Sequence, residues 1–166
     1  FRIMNSNYLD YIINEYFHIT NNAAIRRNVI FFLKNKFYNY SESEYKKLLN
    51  TNEFQSLKKL ILKFINLYNA QYDDVNKLIT LLNKSTNYRE LAFFKIVFTI
   101  YYLYELEKYS QNLIDFDDMI KKATSIIDNG GFVENYKYII IDEFQDTSIS
   151  RFNLIKAILK KTNESF

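Results

Sequence analysis

Cysteine, proline and tryptophan are absent from this 166-residue chain, glycine occurs twice and histidine once. Without cysteine there is no disulfide framework and no thiolate metal site. The lone His18 cannot build a histidine ligand cluster and has no triad partner near it in sequence. With so few chain breakers, long helices are the default reading. Long apolar runs are also missing: the stretch 91–106 is interrupted by Lys95 and Glu105 and carries several tyrosines, too short and polar for a membrane span. The first residues do not read as a signal peptide, so a cytoplasmic setting is expected. What is present is globular: 48% hydrophobic and 25% charged residues, enough apolar content over one domain's length for a genuine core. The aromatic share is all Tyr and Phe; together with the Asn, Lys and Ile it is what AT-rich codons encode, and it carries no functional weight. The net charge of +3 permits a nucleic-acid partner without demanding one.

Helical periodicity organises most of the chain. Tyr8, Leu9, Ile12, Ile13, Tyr16 and Phe17 form one apolar stripe at three- and four-residue spacing. Residues 23–38 repeat the pattern, with Arg26, Arg27, Lys34 and Lys36 as polar members. Ser41 and Glu44 read as a capping box for a short helix ending at Leu49. Phe54, Leu57, Leu60, Ile61, Phe64 and Leu67 form a further stripe, and Val75, Leu78, Ile79 and Leu82 a shorter one behind a capping Asp73-Asp74. Asn87, with Glu90 three residues on, caps the longest expected helix, which runs to about Tyr109.

The character changes after that helix. Asp115 sits at an N-cap with Asp117 and Asp118 in the first turn, where carboxylates favour the helix dipole. That helix should run to Asp128 and stop at Asn129-Gly130-Gly131. Tyr138-Ile139-Ile140-Ile141 is a short apolar, β-branched run that reads as a buried strand of a parallel sheet, and a last helix follows over 149–161. A buried parallel strand needs neighbours on both sides, and no second strand of comparable quality is evident. The chain is therefore expected to be cut from a larger α/β protein.

The strand ends in Asp142-Glu143. Adjacent acids at the carboxyl edge of a sheet can divide the work: one holds Mg²⁺, and the other orients and deprotonates a water for attack on a γ-phosphate. Apolar residues followed by Asp-Glu are a weak signal, as often a strand running into a solvated turn. The two adjacent glycines open no G-x-x-x-x-G-K-[ST] phosphate loop. No nucleophile elbow, metal-ligand cluster or glycosidase-like acid pair is evident either.

The hexapeptide Asp142-Glu143-Phe144-Gln145-Asp146-Thr147 resembles motif II of the UvrD/Rep-type superfamily 1 DNA helicases, which reads DEFQDT. Upstream, Ile114-Asp115-Phe116-Asp117-Asp118-Met119-Ile120 resembles the LDFDDLL segment that precedes motif II in that family. The tail, 115–161, is also similar to the helicase IV branch. The resemblance implies a mainly α chain. Residues 1–110 would be a helical insert subdomain of the first motor lobe. Residues 111–166 would be a strand–loop–helix unit of a RecA-like P-loop NTPase lobe, α/β in the full-length protein. It implies ATP and Mg²⁺ as cofactors. Asp142 would hold the metal, Glu143 would act as general base and Gln145 would sense the γ-phosphate, so these three form the nucleotide site. Asp146 would tie the loop to neighbouring motifs. The implied partners are DNA, single-stranded or at a single/double-strand junction, and the remaining helicase domains of the same chain, with no membrane.

Other readings weigh against each feature. Capping alone explains Asp115, Asp117 and Asp118. Tyr101, Tyr102 and Tyr104 are at core spacing before they are a stacking platform. Most of the lysines read as solvated helix faces, and Arg26-Arg27 is the candidate DNA contact. Without a phosphate loop the chain alone is expected to neither hydrolyse ATP nor unwind DNA. Two alternatives remain: a non-catalytic helical DNA-binding or protein-docking module keeping a motif-II remnant, and part of a RecB/AddA-like helicase–nuclease.

Overall fold

Capping residues set the helix boundaries in the computed structural model, which describes residues 2–5, 7–19, 22–36, 40–72, 75–134 and 136–162. After α1 (Tyr8–Ile19), α2 (Ala23–Lys34) begins where the Asn22 side chain accepts the Ala24 N–H at 2.9 Å. It ends at Asn35, whose left-handed backbone (φ 53°) turns the chain away before the expected end at Tyr38, itself outside the described residues. The Ser41–Glu44 box opens α3 (Glu42–Leu49) with both reciprocal bonds made, at 3.3 and 2.8 Å. Thr51 caps α4 (Asn52–Gln71). The Asp73-Asp74 pair ahead of α5 (Val75–Lys84) lies outside the described residues. Asn87 caps α6 (Tyr88–Gln111) through the Arg89 N–H, while the Glu90 carboxylate turns to the Ser85 hydroxyl. Asn112, left-handed at φ 53°, stops that long helix.

Helix α6 is the axis of the molecule. Phe93, Ile96, Val97, Ile100, Tyr101 and Tyr104 are buried along it, at the three- and four-residue spacing of one continuous stripe. The other helices lay their single stripes on it or on each other: Ile13 and Phe17 from α1, Val29 and Ile30 from α2, Leu48 and Leu49 from α3, Ile61 and Ile65 from α4, and Leu78 from α5. Edge-on ring pairs tie the layers, Phe17 on Phe54 at 5.0 Å and Phe64 on Phe93 at 5.7 Å.

Two short strands escaped the sequence reading. β1 (Arg2–Ile3) pairs in parallel with β2 (Leu113–Ile114), which follows α6 directly. Two-residue strands carry no periodicity to detect. After β2 come α7 (Phe116–Asp128) and, beyond a long connection, α8 (Ile149–Lys161), which packs along α7 and touches α4. Helix α7 stops as expected: Gly130 takes φ +97°, and the Gly131 N–H reaches back to the Ile126 carbonyl at 2.8 Å.

The expected strand over 138–141 does not form. Among the described residues the only ladder is β1–β2. Tyr138 and Ile140 are instead 66% and 93% exposed. The composition suits a buried parallel strand, but among the described residues no strand pairs with it, and a parallel strand needs such neighbours. The chain is thus mainly α, and no described helix is long and apolar enough to cross a membrane.

Candidate functional site

Residues 142–147 form a tight turn that leads from the 138–141 segment into α8. Asp142 Oδ1 accepts the Glu143 N–H at 2.9 Å, so the first acid folds over the backbone of the second. Glu143 takes φ 48° and ψ 45°, a left-handed conformation rare for a residue with a side chain. A single 3₁₀ turn (Phe144–Asp146) follows, closed by Asp146 N–H to the Glu143 carbonyl at 2.9 Å. Within it the Gln145 side-chain amide donates to the Glu143 carboxylate. Ser148 then caps α8, and Phe144 packs edge-on against Phe152 of that helix at 6.2 Å. The sequence placed Asp142, Glu143 and Gln145 together. The turn joins them directly, with all three exposed.

Hard oxygen donors are what the site offers. The second oxygen of Asp142 has no partner among the described residues, and Glu143 adds a carboxylate beside it. No described group of three or more His, Cys, Asp or Glu could enclose a metal ion. That donor set fits Mg²⁺, which keeps several waters and shares the rest of its shell between one or two carboxylates and a substrate's phosphates. It does not fit a caged structural metal.

At the start of α7 lies a buried charge network that sequence reasoning read only as a cap. Asp115 caps α7 in a full box with Asp118, as expected. Its other oxygen takes a 2.8 Å bond from the Tyr104 hydroxyl and a 3.2 Å contact from Lys108. The Lys108 ammonium, almost fully buried, also meets Asp118 at 2.9 Å and Glu105 at 2.7 Å, and lies over the Tyr104 ring. Burial works against the charge of Lys108, yet the surrounding carboxylates outweigh it and its pKa rises. Burial likewise pushes against Asp115, but the Asp118 N–H and Lys108 hold its carboxyl below the usual value. Glu105 goes the other way, raised chiefly by burial. The signal was available: Lys108 continues the stripe of Tyr101 and Tyr104, on the buried face. Those two tyrosines are core, and Tyr102 is exposed.

Arg26 and Arg27, adjacent in sequence, open into different clefts. Arg26 is half-buried and shares a cleft with His18, Glu42 and Tyr45, whereas Arg27 is exposed between α2 and α6.

The family follows from comparison. The description of a UvrD/REP helicase N-terminal domain matches residues 2–166, and the chain belongs to that family. It is 31% identical over 121 residues to an ATP-dependent DNA helicase Rep of Buchnera aphidicola subsp. Schizaphis graminum (strain Sg), covering 69% of this chain and 17% of that protein. A probable DNA helicase II homolog of Mycoplasma genitalium is 32% identical over 92 residues, 52% of this chain and 13% of that protein. DNA helicase IV of Escherichia coli (strain K12) is 36% identical over 56 residues, 34% of this chain and 8% of that protein. The chain therefore spans a minor part of the length of these relatives. No solved structure matches it.

Proposed function

We propose that this chain supplies the acidic half of the ATP site in an ATP-driven DNA helicase or translocase. The observation that carries the reading is the 142–147 turn, in which Asp142 folds onto Glu143 and Gln145 holds the Glu143 carboxylate, within a chain of the UvrD/REP family. Asp142 would contribute an oxygen to Mg²⁺. Glu143 takes the proton of the attacking water, and the Gln145 amide reports on the γ-phosphate by exchanging its contact with Glu143 for one to the nucleotide. Mg²⁺, when bound with ATP, would neutralise negative charge on the transferring phosphoryl group. Asp146 ties the turn to motifs elsewhere in the motor. Residues 1–110 act as the helical insert that meets DNA beside the motor, and residues 111–166 belong to the RecA-like lobe, in a cytoplasmic enzyme. The chain alone has no phosphate loop among its residues and is inactive in this reading.

The test is Glu143→Gln in the full-length protein. Removing a general base should lower hydrolysis by about a hundredfold or more. Nucleotide affinity, read by fluorescent ATP titration, should stay nearly unchanged. Near-normal turnover in that variant would refute the base assignment.

A further inference from the structure

Two aromatic clefts flank α6, and their charges sort them. The cleft on the α1 side, about 340 Å³, is lined by Tyr8, Tyr11, Ile12 and Leu106 and rimmed by Glu15 and Glu107. Glu107 also accepts the Tyr8 hydroxyl at 3.1 Å, so negative charge is fixed there. A polyanion is repelled from that side. The cleft on the α2 side, about 400 Å³, is lined by Arg27, Asn28, Phe31, Tyr88, Leu91 and Lys95, and no acidic residue lines it. Phe31 and Ala92 are buried and form an apolar floor, while Tyr88 is 73% exposed above it. Arg27 and Lys95 are both exposed, and neither side chain has an ion pair or hydrogen bond among the described residues. Most cations nearby are committed: Lys34 to Glu53, Lys46 to Glu42, and Arg89 to the Phe32 carbonyl and ring.

Two uncommitted cations beside an exposed ring and an apolar floor match what a single strand of nucleic acid presents: spaced phosphates with unstacked bases between them. A duplex offers phosphates but no free base faces. We propose that the α2–α6 cleft seats single-stranded DNA, with Arg27 and Lys95 on phosphates and Tyr88 stacked on a base. The choice of DNA as the polyanion rests on the motor reading. The measurement uses no nucleotide triphosphate, so it succeeds or fails apart from the hydrolysis test above.

The experiment is fluorescence anisotropy of a fluorescein-labelled oligothymidylate of about 15 nucleotides, near the upper end of single-strand site sizes, titrated with the chain across a salt series. Arg27→Ala/Lys95→Ala should weaken binding and flatten the log–log salt slope by about 1.4, since each single-strand phosphate contact contributes about 0.7. Tyr88→Ala should weaken it at least about fivefold at unchanged slope, and Tyr88→Phe should restore it, because stacking needs the ring and not the hydroxyl. The matched control removes two exposed cations outside the cleft, Lys59→Ala/Lys84→Ala, and should leave the slope in place. An equal loss in that control means diffuse surface charge and overturns the proposal. So does full affinity in Arg27→Ala/Lys95→Ala, tighter binding of a duplex of the same length, or no binding by the unaltered chain at low salt.

Discussion

Glu143 sits at φ 48° with a full side chain, in the turn that also orders Asp142 and Gln145. The left-handed region brings Cβ against the following carbonyl at about 1–2 kcal/mol per residue. A free turn would relax or carry glycine. Strain of this kind persists where the surrounding structure over-determines it, and here a carboxylate cap on one side and an amide on the other hold it. Glu143→Gly should therefore stabilise the chain by about 0.5–1 kcal/mol, after the extra freedom of glycine in the unfolded state is subtracted. If Glu143 is the base proposed above, the same change should also remove hydrolysis in the full-length protein. Urea unfolding of the two chains reads the first effect. Lower stability in the glycine variant would mean that the turn is held by the side chain rather than strained against it.

Elements show where sequence patterns carry structural information and where they do not. Ser41, Asn87 and Asp115 were readable as caps because a cap is a local bargain between one side chain and amides two or three residues on. Tyr101 and Tyr104 were readable as core for the same reason, since helical neighbours are neighbours in sequence, whereas Tyr102, read with them, is exposed. The pairing of β1 with β2 was not, because it joins residues more than a hundred positions apart through two-residue ladders. Residues 138–141 fail in the opposite sense: the side chains suit a strand, but strand formation depends on partners that a local pattern does not contain. Within the site, the closeness of Asp142, Glu143 and Gln145 was readable, while the left-handed turn and the bond from Gln145 to Glu143 were not. The stop of α7 is a checkable case of local necessity. A Cβ built on Gly131 lies 2.6 Å from the Ile126 carbonyl oxygen, part of a backbone that cannot easily give way. Gly131→Ala should destabilise the chain by about 1–3 kcal/mol in thermal unfolding, the range for forced overpacking. An unchanged midpoint would show that the connection after α7 moves freely.

At the scale of the whole molecule, the Lys108 network joins the helical body to the α7–α8 layer that carries the candidate ATP-site turn. One buried ammonium on α6 meets Glu105 of its own helix and Asp115 and Asp118 of α7. Lys121 of α7 adds a 3.0 Å bond to the Tyr72 carbonyl beyond α4. Each shifted group has a definite sign. Lys108, raised, contributes stability that is complete below its ordinary 10.5 and lost as pH climbs through its folded value. Asp115, lowered, contributes stability present above its ordinary 3.8 and lost as pH falls through its folded value. Glu105, raised, contributes fully below its ordinary 4.5 and loses that contribution as pH rises through its folded value. The intact network should thus change little in stability between mildly acidic and mildly alkaline pH, apart from the small loss as Glu105 ionises. Lys108→Met keeps the buried stem and deletes the charge, leaving clustered carboxylates without their cation. Breaking a buried pair in this way costs about 3–5 kcal/mol. The carboxylates would then have raised folded pKa values, so lowering the pH protonates them and returns stability to the variant. Urea unfolding at neutral pH and at about pH 5 should show the gap between Lys108→Met and the unaltered chain shrinking. A gap that stays constant would mean that the joint is held by the apolar contacts of α6 and α7, and not by the charge at its centre.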